Sequence, residues 1–489
     1  MAPYNIQIVI FITGGAVMVL ELLGTRILAP YLGLSLYVWT SVIGIILAAL
    51  SIGYALGGRL ADKNPNIQTL RKIIFWAAAT FLLLTLIKDI TPLLMVRLGA
   101  LEGSLIASLI LFLLGSLLLA MVSPYAIKLK LNKLTQTGRT AGDLYAFSTA
   151  GSIAGTFLAG YVLIPNFQTS TILIALAIIL FGTAFLLKPF KTLNTIKIAL
   201  LIIGAGLMAQ KIERSKNLIA SIPSAYAQIS VADVDFNGRR ARILLTDSEV
   251  DSGMYLDSDE LVFEYTKLFN LDEYFHPRPE RALLLGGGAY SMAKDFLRRF
   301  PESSIDVVEI DPKITAAARQ YFNLENTPRL TTFHEDGRTF INKRAAKYDI
   351  IYNDTFSSYY AIPYQLTTRQ AIEAMFDNLA PDGVVLVNII SALDGPMSDF
   401  FKAEYKTFQS IFPKVYALAV DSADKTDLVQ NIVLVALKND RFAPPENFRP
   451  ELLSYLKSEI KPVIGQDVPI LTDEFAPVDY YIAKLKVGR

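Results

Sequence analysis

The sequence has no cysteine and only two histidines, His276 and His334, in 489 residues. A disulfide framework, a thiolate zinc site, an iron–sulfur cluster and a cysteine nucleophile are therefore excluded, and a histidine-rich metal centre has little to be built from. Charge is scarce too: 19% of residues are Asp, Glu, Lys or Arg, against about 25% in an ordinary soluble protein. Hydrophobic residues make up 52% and the mean hydropathy is +0.39, so part of the chain belongs in lipid. The same apolar content excludes a disordered or collagen-like chain, and the length calls for at least two domains.

What charge there is divides unevenly. Residues 1–217 carry 17 Lys and Arg against 6 Asp and Glu, a net +11, whereas residues 218–489 carry 29 against 39, a net −10. A basic apolar half suits a membrane domain with cationic loops, and an acidic polar half suits a soluble domain that receives cationic substrates or is merely kept soluble by its charge. The acidic half offers no basic patch, so nucleic acid is not expected as a partner.

Seven runs in the basic half approach the roughly 20 residues that cross a bilayer, at 6–23, 37–56, 73–90, 105–126, 144–164, 171–187 and 196–209. The first lacks a cationic flank and a small-residue cleavage site and reads as a retained span. Arg59, Lys63, Arg71 and Lys72, then Lys128, Lys130, Lys133 and Arg139, then Lys188, Lys191 and Lys197 fall in alternate loops. Those loops, and the N-terminus with them, are expected on the cytoplasmic side of a cell membrane. Seven full spans would then place the acidic half outside. A cytoplasmic soluble domain requires that the last run lie in the interface or pair as a hairpin, or that residues 27–36 form a further half-span. Gly14-Gly15, Gly53 with Gly57-Gly58, and Gly151 with Gly155 have the spacing of close helix packing. Glu21, Arg26, Arg59 and Asp62 are ionisable groups at or near membrane depth, where such groups pair or line a polar path.

From about residue 218 the pattern changes. Alternating runs at 228–234 and 242–245 flank Asn237-Gly238, a hairpin signal that predicts a small β-rich lead-in over 218–275. Beyond it, strands at 281–285, 305–310, 330–333, 348–353, 384–390, 415–420 and 432–437 alternate with helices such as 292–300, 313–321 and 369–379. That alternation predicts an α/β Rossmann-like, methyltransferase-type domain over 276–489, with an open and mostly parallel sheet that binds ligands at its carboxyl edge. Gly286, Gly287 and Gly288 follow the first strand, and Glu309 stands 23 positions after Gly286 at the end of the second. A glycine turn admits close backbone approach, and a carboxylate at that second strand end accepts hydrogen bonds from two ribose hydroxyls. Ser291 stands where a dinucleotide fingerprint needs its last glycine, so the ligand expected is a nucleoside without a pyrophosphate. The next strand delivers Asp354 to the same edge, ahead of a loop that carries Phe356, Tyr359, Tyr360 and Tyr364. A carboxylate there can take a proton from an amine, and the aromatic loop can close over a cation or pack on the membrane half.

The motifs L-L-L-G-G-G (283–288), V-V-E-I-D-P (307–312), E-D-G-R-T-F (335–340) and Y-D-I-I-Y-N-D (348–354) resemble, in order, those of the spermidine/spermine synthases, the polyamine aminopropyltransferases. The likeness covers about residues 221–440. With G-T-R-I-L-A-P-Y-L-G (24–33), G-G-R-L-A-D (57–62) and G-D-L-Y-A-F-S-T-A-G (142–151), the whole chain resembles the membrane-integrated branch of that family. The resemblance implies transfer of an aminopropyl group from decarboxylated S-adenosylmethionine, a co-substrate, to putrescine or a related amine, with 5′-methylthioadenosine released. Neither a prosthetic group nor a metal is implied. Gly286–Gly288 and Glu309 would hold the ribose side of the donor, Asp336 and Gly337 its adenine, and Gln228 would contribute one position later than the family's glutamine. Asp354 would accept the proton of the attacking amine. The lipid bilayer, the amine substrate and a second copy of the chain, as a homodimer, are the partners implied.

Several positions depart from the family pattern. Ala289 stands where an acidic residue usually follows the glycines and holds the aminopropyl amine; Ser357 replaces an acid three positions after Asp354; Ala227 follows Tyr226 in place of glutamine; and Phe263-Glu264-Tyr265 replaces Tyr-His-Glu. Asp247, Asp251, Asp257, Asp259 and Glu264 either supply amine contacts or form a solvated acidic face. The nucleoside site is thus kept more fully than the amine site. Methyl transfer from S-adenosylmethionine, and a transporter or sensor that binds nucleoside or polyamine without chemistry, stand as alternatives.

Overall fold

Six long apolar helices, whose few charges apart from Glu21 and Arg26 of α1 lie toward their ends, build the first unit of the chain. The computed structural model describes residues 4–95, 98–131, 134–187, 217–247, 249–343, 346–355, 362–442, 444–445 and 449–485. The helices are α1 (Tyr4–Leu32), α2 (Leu36–Lys63), α3 (Ile67–Ile87), α4 (Gly99–Lys130), α5 (Thr137–Leu158) and α6 (Thr169–Leu187). A π turn at Ala159–Leu163 and a short helix at Ile164–Asn166 prolong α5. All six are long and apolar enough to cross a membrane. The seventh run, 196–209, lies outside the described residues. Residues 27–32 form no separate half-span: they continue α1, and the chain turns at Gly33 with φ 75°.

Lipid tails are as apolar as leucine, so such helices associate by close packing and not by the hydrophobic effect. Glycine supplies the closeness. A Cβ built on Gly155 would stand 2.5 Å from the carbonyl oxygen of Gly15, and one on Gly53 would stand 2.5 Å from that of Leu117, which seats α1 on α5 and α2 on α4. Asp62 pairs with Lys128 at 2.7 Å across the ends of α2 and α4, and Arg26 donates to the carbonyl of Ala225.

The second unit comprises residues 217–221 and 229–489. Its smaller sheet has the order β1 (Leu218–Pro223), β2 (Gln228–Phe236), β3 (Arg239–Thr246), β4 (Glu249–Tyr255). Asn237 and Gly238 both take positive φ, 54° and 79°, which makes the tight hairpin that the sequence predicts.

The larger sheet contains β5 (Arg281–Leu285), β6 (Ser304–Val308), β7 (Leu330–Phe333), β8 (Tyr348–Asn353), β9 (Leu379–Ser391), β10 (Lys414–Ala419), β11 (Gln430–Leu437) and β12 (Glu459–Ile460). Its order is β12-β10-β11-β9-β8-β5-β6-β7. The strands from β7 to β9 run parallel, and β11 inserts antiparallel between β9 and β10. Parallel strands buried on both faces need continuous apolar runs, and Ala282, Leu283, Leu284 and Leu285 are each at most 1% exposed. Between the strands lie α7 (Ser291–Arg299), α8 (Pro312–Tyr321), α9 (Gly337–Lys343), α10 (Arg369–Asn378) and α11 (Asp399–Gln409). Asp311 starts α8 by accepting the Lys313 N–H at 2.9 Å, with Pro312 in the first turn. The one marked boundary difference is β9, which starts at Leu379 and not 384 because Leu379 pairs with Tyr348 ahead of a register shift.

One core group is out of place. Glu404 on α11 is fully buried among the phenylalanines of that helix, and neither carboxylate oxygen has a hydrogen-bond partner among the described residues. Burial raises its pKa well above the usual glutamate value. The folded state therefore holds a proton that the unfolded chain releases, so stability falls as pH rises from the ordinary glutamate range through the raised value. Glu404→Met is expected to stabilise the second unit by about 1–3 kcal/mol at neutral pH and to flatten that pH dependence. Thermal unfolding of both proteins at pH 5 and 8 checks it; a lower midpoint in the variant at pH 8 would contradict it.

Candidate active site

The strand order reverses between β5 and β8: from β5 the chain crosses to β6 and β7 on one side, then returns to β8 on the other. The loops leaving the carboxyl ends of β5 and β8 diverge there and open a crevice. Gly286 leaves β5 with φ 92°, and a Cβ on it would stand 2.5 Å from the carbonyl oxygen of Asp354. Only glycine fits both the conformation and the gap. The Gly286 N–H bonds Val308 O at 2.9 Å, and the Asp354 N–H bonds Leu285 O at 3.0 Å, so the glycine turn is tied to the ends of both neighbouring strands.

Glu309, 5% exposed, closes the turn from the β6 side. Its Oε2 accepts the N–H groups of Gly287 at 2.9 Å and Gly288 at 3.4 Å, and Oε1 accepts that of Asp311 at 2.9 Å. Burial lifts its pKa to about 7, against the pull of those backbone donors toward the anion. Across the crevice, Asp354 Oδ1 accepts from Asn388 Nδ2 at 3.2 Å and Oδ2 from the Tyr265 hydroxyl at 3.3 Å. Asn388 is itself held by Asn431 Nδ2 at 2.9 Å. Burial raises Asp354 to about 6, and these two neutral donors only partly offset it. Neither Glu309 nor Asp354 has an ion-pair partner among the described residues. Buried carboxylates without a paired cation, one set in a glycine turn and one poised just below neutral pH, suit the binding of hydroxyls and the acceptance of a proton.

Gly286, Gly287, Gly288, Glu309 and Asp354 are thus brought together. Asp336 and Gly337 lie at the carboxyl end of β7, where Asp336 Oδ1 caps α9 by accepting the Thr339 N–H at 2.8 Å. A Cβ on Gly337 would lie 3.8 Å from Leu285 at the end of β5. Gln228 is the first residue of β2 and falls in the first unit, whereas the other groups fall in the second. Phe356, Ser357, Tyr359 and Tyr360 lie outside the described residues, and Tyr364 is exposed in a short 3-10 turn. Of the nearby acids, Asp257 pairs with Arg239 at 2.8 Å and Glu264 with Lys267 at 2.6 Å, both on the surface.

Residues 263–419 match the spermine/spermidine synthase domain. A polyamine aminopropyltransferase of Vibrio vulnificus is 28% identical over 184 residues, 37% of this chain and 59% of that one. A probable polyamine aminopropyl transferase of Bifidobacterium longum is 32% identical over 146 residues, 30% of this chain and 32% of that one. The alignments span less than two thirds of either relative. A probable spermidine synthase from Corynebacterium glutamicum ATCC 13032, a solved structure, aligns at 23% identity over 47% of this chain and 82% of that one, with a TM-score of 0.41.

Within the residues that match that domain, sequence reasoning missed Asn388 and the role of Tyr265. Asn388 had a visible signal: it is the one polar side chain in the apolar run 384–390, and a central strand does not carry an amide without a partner. Tyr265 had none, since the short helix Glu264–Leu268 that places it gives no periodic pattern.

Glu309→Gln is expected to weaken adenosine binding about tenfold or more by removing the charged acceptor, while leaving the thermal midpoint unchanged or higher because a buried charge is lost. Titration calorimetry and thermal unfolding together check this; undiminished adenosine affinity would remove Glu309 from the ribose site.

Proposed function

We propose that the chain is a membrane-bound aminopropyltransferase that moves the three-carbon amine of decarboxylated S-adenosylmethionine to an amine acceptor of the putrescine class. The observation that carries this reading is Asp354: a buried carboxylate at the strand-order reversal, held by Asn388 and Tyr265 and adjoining the turn that Glu309 closes. The match to the spermine/spermidine synthase domain and the names of the relatives support it.

The chemistry asks for little beyond positioning. The acceptor nitrogen attacks the chain carbon bonded to the sulfonium; a C–N bond forms, the C–S bond breaks, and its electron pair leaves on sulfur as neutral 5′-methylthioadenosine. The extra proton on nitrogen passes to Asp354. Sulfonium is already a good leaving group, so orientation and one proton acceptor suffice. The excess of acidic residues in the second half favours the approach of a cationic amine.

The helices hold the enzyme in a membrane. If each of the six crosses once, Leu187 returns to the side of the N-terminus, the side that carries the cationic α2–α3 and α4–α5 turns, which the positive-inside rule makes cytoplasmic. A second half on that side, where a nucleoside donor is available, also requires that the run 196–209 not cross.

One departure favours a second reading. Ala289, uncharged and buried, follows the glycines, and methyl transfer from S-adenosylmethionine needs no acid there.

Mass spectrometry of the purified, detergent-solubilised protein with decarboxylated S-adenosylmethionine and a panel of diamines and polyamines tests the choice. Methylthioadenosine and a lengthened amine are expected. S-adenosylhomocysteine formed from S-adenosylmethionine, with no methylthioadenosine from the decarboxylated donor, would establish the second reading instead. Asp354→Asn should lower turnover by about 10²–10⁴-fold with donor binding kept. Because the base must be ionised, the wild-type kcat/KM should fall as pH drops below about 6; a rate independent of pH from 5 to 8 would remove Asp354 from that role.

A further inference from the structure

The register of β4 against β3 contains one break, and it falls at an acid. Ile243 pairs with Gly253 and Leu244 with Ser252, but Leu245 pairs with Val250, so Asp251 is the extra residue of a β-bulge. Bulges re-aim a side chain and are frequent beside active sites. This one lies against the glycine turn. A Cβ on Gly288 would stand 3.0 Å from Ser252 Cβ, and Ser291, the first residue of α7, donates to the Gly253 carbonyl at 2.7 Å. The two residues that follow the bulge therefore fix β4 to the turn that Glu309 closes.

Asp251 is near enough to both ends of the crevice to act on them electrostatically. Its charge helps to raise the pKa of Glu309, and it helps to raise that of the Tyr265 hydroxyl, the group bonded to Asp354. A carboxylate near both Glu309 and the Tyr265–Asp354 pair is close to a ligand that spans the two. The turn itself contributes no acid, because Ala289 occupies the position after the glycines.

We infer that Asp251 binds the terminal ammonium of the donor's three-carbon chain and makes the site select a decarboxylated donor over one that keeps its carboxylate. This rests on the aminopropyl-transfer reading. The bulge supplies, from the facing sheet, the negative charge that the glycine turn lacks. An ammonium gains a charge-assisted hydrogen bond there, whereas the carboxylate of S-adenosylmethionine meets a like charge. Selectivity thus arises from attraction of one donor and repulsion of the other.

The test is titration calorimetry on the full-length, solubilised protein with decarboxylated S-adenosylmethionine, S-adenosylmethionine and methylthioadenosine, for wild type, Asp251→Asn and Asp251→Glu. In Asp251→Asn the affinity for the decarboxylated donor is expected to fall about 10- to 100-fold. Methylthioadenosine, which has no amine, should bind as before; the preference over S-adenosylmethionine should shrink, and Asp251→Glu should recover part of the loss. Unchanged donor affinity in Asp251→Asn, or an equal loss for donor and methylthioadenosine, would overturn the inference while leaving the transferase reading standing. Failure of the wild type to bind any of the three would overturn the transferase reading itself.

Discussion

The reversal of strand order between β5 and β8 is the constraint on which the rest of the site depends. It places the turn after β5 and the residue after β8 side by side, and Gly286 sets how close they come: its positive φ and missing side chain let the backbone of Asp354 lie against it. A larger residue would push the β8 loop outward and separate Asp354 from the glycine turn. The backbone bonds from Gly286 to Val308 and from Asp354 to Leu285 lock the same arrangement into the sheet, so that the crevice is as rigid as its strands.

Within that frame, two carboxylates share one penalty and meet it differently. Both are buried, and burial disfavours their charged forms. Glu309 is surrounded by backbone N–H groups of its own and the neighbouring turn, which cannot rotate away and fix it as an acceptor. Asp354 is supported by side chains from two separate elements, the β9 amide and the tyrosine of the Glu264–Leu268 helix, both neutral. Neutral donors orient a carboxylate without drawing its pKa down as a cation would, which is what a proton acceptor working near neutral pH needs. The unpartnered Glu404, away from the crevice, shows what the same burial does when nothing compensates it.

The helical unit obeys another rule. In a membrane its helices would gain nothing from being apolar next to one another, so their association would depend on backbone approach, and glycines at Gly15, Gly53, Gly151 and Gly155 provide it. The polar contacts there sit mostly at helix ends, as in Asp62 with Lys128. Most of the spaced small residues read from the sequence are accounted for by packing; Gly58, whose Cβ would meet nothing closer than Pro124 at 4.0 Å, is not.

Much of this was legible in one dimension. The apolar runs gave the six described helices long enough to span a membrane, alternation gave the seven main strands of the sheet to within a few residues, and the motifs around Gly286, Glu309 and Asp354 marked the edge where they meet, because periodicity and turn chemistry are local properties. What the sequence alone could not reveal depends on pairing between distant segments. That β11 enters antiparallel beside β9 decides that Asn431 reaches Asn388, and through it Asp354. The one-residue slip between β3 and β4 makes Asp251 the extra residue of a bulge, next to Ser252 and Gly253, which lie against the glycine turn and α7. Local sequence marked most of the elements, the change of character between the two halves and the candidate groups of the site; which of those groups touch was settled by tertiary structure, since register and burial exist only once strands far apart in the chain have paired.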